Sequence, residues 1–296
     1  MMMTRNDQLQ RLVFEEINAR CVWVQLDRVT AQVLSRDEYH PVVADQLARA
    51  LLVAASMSSG IKFEGRITLQ LQSAGPVSLL LADCEHDGGV RGIARLREDA
   101  IPPPTSEALF AGLAEDGTLA LTVEPLRQGR RWQGIVPLEG NSLEQALESY
   151  FRQSEQLPTR FRLAFDGERA SALMIQKMPG ESEDDDGWNR LTHLLETLGP
   201  DEMLASEGEQ VLHRLFHDEA RRVFPARELH FHCPCTRDRV AEVLQGLGAT
   251  ELESLAAEQE VVEVRCEFCN EAYRFDQVDL ASLIQGGPPD DTTTVH

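Results

Sequence analysis

The sequence predicts an α+β fold with an N-terminal mixed α/β core domain, a mainly helical linker and a small C-terminal domain organised around four cysteines. Three observations support this prediction. Strand and helix signals are mixed up to residue 179, short helical patterns then follow an acidic loop, and closely spaced cysteine pairs occur only near the C-terminus. The predicted boundaries are 1–179, 180–225 and 226–285, followed by a disordered tail at 286–296.

The strands of the core are predicted from β-forming residues and from alternation. Residues 19–26 (ARCVWVQL) are rich in β-formers, and residues 67–71 alternate apolar with polar side chains. The Gly75-Pro76 pair marks a turn before the next strand. The remaining predicted strands are 77–81, 118–123, 132–137 and a hairpin over 160–177 that turns near Asp166-Gly167.

Two helices of the core have recognisable ends. Pro41 fits a first helical turn, apolar residues recur at helical spacing from Val43 to Ala54, and Gly60 is a natural stop. Ser142 with Gln145 three residues later resembles a capping box. The helix that follows is predicted to bury one apolar face, formed by Leu143, Ala146, Leu147, Tyr150 and Phe151.

The linker begins where the composition shifts to the acidic loop at 179–187 (PGESEDDDG). Residues 188–224 then show short helical patterns whose apolar stripe is narrow and interrupted by charge, and Pro225 ends them. Such helices bury little surface of their own, so packing on a neighbour must hold them. We therefore expect a linker of low local stability.

The four C-terminal cysteines form two short-spaced pairs, with Cys233 and Cys235 as C-x-C and Cys266 and Cys269 as C-x-x-C. Two thiol pairs joined by a folded connection provide the four ligands of a tetrahedral Zn²⁺ site. Asn270, directly after the second pair, tolerates the left-handed backbone that a tight metal knuckle needs. We predict one Zn²⁺ per chain in the reduced state.

Other interpretations of these cysteines are weaker. Cys266 and Cys269 fall in a predicted hairpin, whereas a thioredoxin-type pair needs a helix N-terminus. Four thiolates close the metal shell, which disfavours hydrolysis at an open zinc position. His230 and His232 alternate along a predicted strand and are expected at its surface. A purely structural zinc stays open, although each pair is close enough in sequence to form its own disulfide if geometry permits.

The remaining side chains of interest are assigned to packing. Cys21 and Cys84 lie in predicted strands and are expected to be buried small apolar residues. Phe268, Tyr273 and Phe275 are expected to supply the small core of the C-terminal domain. The acidic run at 181–186 is expected to be a solvated loop.

Charge and motif content exclude several classes of function. The chain carries 28 basic and 49 acidic residues, a net charge of −21, and residues 226–285 alone contain five arginines, no lysine and twelve acidic residues. This disfavours binding to nucleic acid or to an anionic membrane. We find no 18-residue apolar stretch, no signal-peptide core, no Walker pattern and no hydrolase motif, and we expect a cytoplasmic protein that is not an enzyme.

The sequence resembles a known family, the redox-regulated bacterial heat shock proteins of 33 kDa, which are molecular chaperones. The motifs that carry the resemblance span residues 8–280. They are CPCTRDRV and CEFCNEAYRFD around the cysteines, KFEGRITLQLQ (62–72), GIVPLEG (134–140), YFRQSEQLPTR (150–160) and RLFHDE (214–219). The family commonly has Gly where this chain has Asn270, a mild departure because both residues accept a left-handed backbone.

The resemblance implies a mechanism. The reduced, zinc-bound form is inactive, and oxidation forms the disulfides Cys233–Cys235 and Cys266–Cys269, releases zinc and unfolds the linker. The exposed surface then holds unfolding client proteins without ATP, with the core domain serving dimerisation and client binding in an active homodimer. The alternative from the residues alone is a zinc-ribbon interaction or nucleic-acid-binding module, which the negative charge disfavours.

Overall fold

The computed structural model describes residues 7–60, 64–126 and 129–285. The chain divides into two compact units, one ending at His232 and the other beginning at Cys233. The strands are β1 (Gln8–Phe14), β2 (Ala19–Leu26), β3 (Gly65–Gln72), β4 (Val77–Glu85), β5 (Gly89–Leu96), β6 (Thr118–Pro125), β7 (Trp132–Pro137), β8 (Thr159–Phe165), β9 (Ala170–Lys177), β10 (Arg222–Val223), β11 (Arg227–Glu228), β12 (His230–Phe231), β13 (Val261–Arg265) and β14 (Ala272–Asp276). The helices are α1 (Arg28–Leu34), α2 (Pro41–Ser58), α3 (Ser106–Ala114), α4 (Leu143–Tyr150), extended by a π-helical turn (Phe151–Glu155), α5 (Gly187–Glu196), α6 (Pro200–Ala205), α7 (Gly208–Phe216), α8 (Arg237–Gly246), α9 (Ala249–Glu258) and α10 (Gln277–Ile284).

Two six-stranded sheets form the first unit. The first sheet has the order β10-β1-β2-β9-β8, with β11 also paired to β1, and all its pairings are antiparallel. The second has the order β12-β5-β4-β3-β6-β7, antiparallel except where β12 runs parallel to β5. The structure thus confirms the predicted α+β class, in which strands pair mainly with their sequence neighbours.

Helix α2 supplies the main core of this unit. It begins at Pro41, as predicted, and its buried side chains contact strands of both sheets. Leu47 and Leu51 are fully buried there, as are Val24 from β2 and Leu69 from β3. One central helix therefore covers one face of each sheet.

The linker helices α5, α6 and α7 pack against the first sheet, and they form a second apolar cluster. The sheet contributes Phe14 and Trp23 to this cluster. The linker contributes Leu191, Leu212 and Phe216. The Phe14 and Phe216 rings meet edge to face, with centroids 5.2 Å apart. The linker is mainly helical, as predicted, and its apolar side chains depend on the sheet for their burial.

Several local predictions are confirmed. The strand at 19–26 is β2, and the hairpin over 160–177 is formed by β8 and β9. Ser142 caps α4 by accepting a hydrogen bond from the Gln145 N–H, 3.3 Å away. The Gln145 side chain accepts in turn from the N–H of Asn141 rather than of Ser142 itself, so the reciprocal bond lies one residue earlier than in a capping box.

The second unit contains the β13–β14 hairpin and helices α8, α9 and α10. Among its described residues, up to 285, the apolar cluster is small and has seven buried members, Ala241, Leu244, Leu252, Val262, Phe275, Leu280 and Leu283. Such a core is marginal for an independent domain.

The predicted boundaries at 179/180 and 225/226 stay predictions, because a metastable linker is defined by its stability rather than by compactness. The predicted disordered tail at 286–296 lies outside the described residues. Among the helices that the structure describes, none is long and apolar enough to span a bilayer.

Candidate metal and redox site

The first cysteine pair lies directly before helix α8. Thr236 caps this helix, since its hydroxyl group accepts a hydrogen bond from the Arg239 N–H across 3.2 Å. The Arg239 guanidinium reaches back to the carbonyl oxygen of Pro234, the residue between Cys233 and Cys235, at 2.6 Å. The helix N-terminus thus fixes the course of the C-x-C segment.

The second pair forms the turn of the β13–β14 hairpin. The Cys266 N–H donates to the Glu271 carbonyl across 2.9 Å, and the Asn270 N–H donates to the Cys266 carbonyl across 2.8 Å. Asn270 has φ +60°, the left-handed conformation predicted for it. The resulting tight turn brings Cys266 and Cys269 to the same side.

The structure brings the four predicted cysteines together. Their Sγ atoms all lie within 4.8 Å of one another, and all four side chains are half-buried. Contacts link the two pairs, with 3.7 Å between Cys233 and Cys266 and 3.2 Å between Cys235 and Cys269. Four sulfurs at about 2.3 Å from a tetrahedral zinc lie about 3.8 Å apart. The donor set therefore fits one thiophilic metal ion held between both segments.

Burial and hydrogen bonding shift the thiol pKa values of Cys235 and Cys269 in opposite directions. Burial raises the pKa of Cys235, but hydrogen bonds from Tyr273 and the neighbouring thiols outweigh burial and bring that pKa below its ordinary value. Burial raises the pKa of Cys269, and the Glu271 N–H opposes this only in part. The cluster therefore favours negative charge on Cys235, where the hydroxyl group of Tyr273 lies 3.2 Å from the sulfur.

An ion pair between Arg237 and Asp279 stabilises the elements that carry the cysteines. The Arg237 guanidinium lies 2.6 Å from the carboxylate of Asp279, which is almost completely buried, and 4.6 Å from the centroid of the Phe275 ring. Asp279 also accepts from the Asp276 N–H and completes a capping box at the start of α10. These contacts join α8, the hairpin and α10 around the small apolar core.

The other candidate residues lie elsewhere. His230 and His232 are in the first unit with largely exposed rings, and neither joins the metal-binding cluster found among the described residues. Cys21 and Cys84 are fully buried in β2 and β4, as predicted. Burial raises the pKa of both thiols, that of Cys84 to about 11, so neither is prepared for thiolate chemistry.

The aromatic residues of this unit are predicted to form its small core, and this prediction is only partly right. Phe275 is fully buried in the apolar cluster, whereas Phe268 is half-buried and lies outside it. Tyr273 packs at the margin of the cluster and also contacts Cys235 through its hydroxyl group. The alternation of Tyr273 and Phe275 along one strand was the signal that these two share a face.

Comparison with known proteins matches residues 7–276 to the model of the Hsp33 protein family. The chain belongs to the Hsp33 family. Similar relatives named "33 kDa chaperonin" occur in Pseudomonas paraeruginosa (41% identity, 96% of each chain) and Pseudomonas fluorescens strain Pf0-1 (40% identity, 97% of each chain). The crystal structure of an Hsp33 homologue from Thermotoga maritima shares the fold, with a TM-score of 0.82 at 22% identity over 95% of this chain and 98% of that one. These names are those of chaperones.

Proposed function

We propose that this protein is a redox-regulated holdase chaperone that works without ATP in the cytoplasm and is not an enzyme. The observation that carries the proposal is the cluster of four thiols within 4.8 Å, placed in a unit whose described residues include seven buried apolar side chains. A unit with so small a core depends on its metal for stability. Membership of a family whose relatives are named chaperonins supports the chaperone activity.

One Zn²⁺ per chain is the proposed cofactor of the reduced state. Cys233, Cys235, Cys266 and Cys269 would hold it, since their chemistry and sulfur spacing suit a closed tetrahedral site. A bound zinc ion would cross-link the two cysteine segments and keep the sulfurs deprotonated. In small modules such binding contributes on the order of 10–16 kcal/mol to folding.

The proposed switch is the formation of two disulfides. In each, two thiolates, one hydrogen peroxide and two protons yield one disulfide and two water molecules. With hypochlorous acid, two thiolates and one proton yield a disulfide, chloride and water. Disulfide formation consumes the four thiolates, so the unit loses its metal and the stability that depends on it.

The proposed pairing is Cys233–Cys235 and Cys266–Cys269, as in the family that the chain resembles. All four sulfurs lie within 4.8 Å of one another, so the two partners of each proposed disulfide are already neighbours in the reduced unit. Mass spectrometry of peptides cleaved between the pairs tests this pairing, and a bond from Cys235 to Cys269 would contradict it.

Unfolding of the linker, residues 180–225, is the proposed second step of the switch, after zinc is lost. Its buried apolar side chains, among them Leu191, Val211 and Leu215, depend on the first sheet. Unfolding of the linker would uncover both these side chains and the sheet face that carries Trp23. We propose that this exposed surface binds unfolding proteins, and that the active form is a homodimer that needs no nucleic acid or membrane.

The test follows zinc release and chaperone activity together. The zinc-loaded chain is treated with peroxide at elevated temperature, while a chromophoric chelator reports free zinc and light scattering reports aggregation of a heat-unfolded client. We expect release of about one zinc per chain, with suppression of aggregation that dithiothreitol reverses. Release without suppression would leave a structural zinc site and overturn the proposed function.

A further inference from the structure

Residues 222–232, here called the strap, join the linker to Cys233 and pair with the edges of both sheets of the first unit. β10 pairs antiparallel with β1 through Leu12 opposite Val223, and β11 does so through Gln8 opposite Glu228. The Phe224 N–H donates to the Arg11 carbonyl across 3.0 Å. The strap therefore covers the outer edge of β1.

The strap then crosses to the second sheet within two residues. β12 pairs parallel with β5, and the N–H groups of His230 and His232 donate to the carbonyls of Gly88 and Val90 at 3.0 and 3.1 Å. At Gly88, which has φ +100°, an added Cβ would lie 2.4 Å from the Glu228 carbonyl oxygen. The receiving edge thus lacks side chains where the incoming backbone lies closest.

From residue 227 onward, the side chains of the strap alternate between the protein and the solvent. Arg227 donates to the His86 carbonyl at 2.8 Å and also bonds the Ser58 hydroxyl group. Leu229 is 2% exposed within the main core, and Phe231 packs at its margin with the Arg36 guanidinium 5.0 Å from its ring. The intervening residues, Glu228, His230 and His232, face solvent.

We propose that the strap occupies the client-binding edges of the resting protein, and that extended segments of unfolding proteins take its place by β-strand pairing once it leaves. The edges offer backbone partners on β1 and β5, and the sites of Leu229 and Phe231 accept apolar side chains two residues apart. Backbone pairing gives affinity for any sequence, while the two sites select apolar alternation. Such segments are common in unfolded proteins and hidden in folded ones.

This inference rests on the proposed function, because release of the strap follows from unfolding on both of its sides. The strap begins with the last four residues of the proposed linker, and the cysteine unit follows it. Each of its strands has only two residues, too few to stay paired when both flanks are disordered. Loss of the strap would leave β1 and β5 as open edges, which readily pair with another chain.

The experiment uses a fluorescent peptide of residues 222–232, which contains no cysteine, and the full-length chain in its zinc-loaded and oxidised forms. Fluorescence anisotropy measures binding of the peptide, and displacement of a labelled, carboxymethylated unfolded protein measures competition. Two N-methylated peptides are compared. Methyl groups on the nitrogens of His230 and His232 block the donors to β5, whereas a methyl group on the Phe231 nitrogen lies on the opposite side of the strand and is the matched control.

We expect the unmodified peptide to bind the oxidised chain only and to displace the client. The doubly methylated peptide should bind at least about tenfold more weakly than the Phe231 control, because two backbone hydrogen bonds are lost. Equal binding of the two methylated peptides, or binding without client displacement, overturns the inference. If the oxidised chain binds no client at all, the proposed chaperone function is wrong. If it binds client but fails the peptide tests, only the proposed role of the strap is wrong.

Discussion

Tyr273 donates a hydrogen bond from its hydroxyl group to Sγ of Cys235 across 3.2 Å. Tyr273 is placed by the β13–β14 register, in which it lies opposite Val264. A donor on a sulfur draws electron density from the lone pair that attacks an oxidant, because nucleophilicity falls as the thiolate is stabilised. The hydroxyl group thus favours the thiolate while it moderates the reactivity of Cys235.

Replacement of Tyr273 by Phe should accelerate oxidative release of zinc severalfold, because the Cys235 sulfur loses its donor. The measurement is the rate at which a chelator signal develops as a function of peroxide concentration. Tyr39→Phe removes a hydroxyl group from the first unit and serves as control, with an unchanged rate expected. A slower release in Tyr273→Phe than in the native chain would refute the moderating role.

Gly208 at the start of α7 touches the indole ring of Trp23 so closely that an added Cβ would lie 2.3 Å from Nε1. Gly208→Ala should therefore push α7 from the sheet, at a cost of about 1–3 kcal/mol. We expect faster hydrogen exchange in α7 and measurable suppression of client aggregation by the reduced, zinc-loaded chain.

Gly199→Ala is the matched control for this substitution. Gly199 lies in the same linker, and an added Cβ there meets no atom within 4 Å. Its exchange rates and resting activity should match those of the native chain. Unaltered exchange in Gly208→Ala would show that the contact with Trp23 does not hold the linker.

Phe275 is the largest fully buried side chain of the cysteine unit. Phe275→Ala should cost about 3–5 kcal/mol, a large share of what so small a core supplies. Zinc should then pass faster to a competing chelator without any oxidant. Val278→Ala, at a position with 67% exposure in the same unit, should leave the rate unchanged, and equal rates for both variants would contradict the assigned core.

Arg190 links the two ends of the linker, with 2.6 Å to Asp184 and 2.9 Å to Glu219. Hydrogen bonding to Arg190 lowers the pKa of the Asp184 carboxyl below its usual range. A lowered folded-state pKa means that the contact stabilises above the ordinary Asp value and is lost as pH falls through the lowered one. Protection of the linker against proteolysis should therefore decline below about pH 4.

Arg190→Gln should remove much of this pH dependence and weaken protection at neutral pH. The side chains of Arg190 and Asp184 are partly exposed, so we expect the pair to contribute little to linker stability. Added salt should reduce its contribution in the native chain. A pH profile of linker cleavage in the variant that matches the native profile would exclude this pair as its source.

The cysteine site was predictable because its signal is local. Residue type and spacing specified Cys233, Cys235, Cys266 and Cys269, and the tight turn required a residue such as Asn270. The hydrogen bond of Tyr273 was not predictable, since it depends on the distance between a hairpin strand and a segment 38 residues away in sequence. Strand alternation indicated only the face on which Tyr273 lies.

Most longer strands of the first unit were predicted from their residues, but β1, β5 and the order of the strands in the sheets were not. Helices α1, α3, α9 and α10 had no prediction, and the two-residue strands of the strap are too short to show a period. The two-sided burial of β2 had a signal, because ARCVWVQL is nearly continuous in apolar residues. That run indicates cover on both faces, which α2 and the linker provide.

The pairing of β1 with residues 222–228 also orders events during synthesis. β1 is made first, yet part of its outer edge has no partner until residue 228 has left the ribosome. Pairing over so long a separation in sequence is slow to form. A growing chain therefore exposes an open sheet edge for most of its translation, and closure of that edge is among the last steps of its folding.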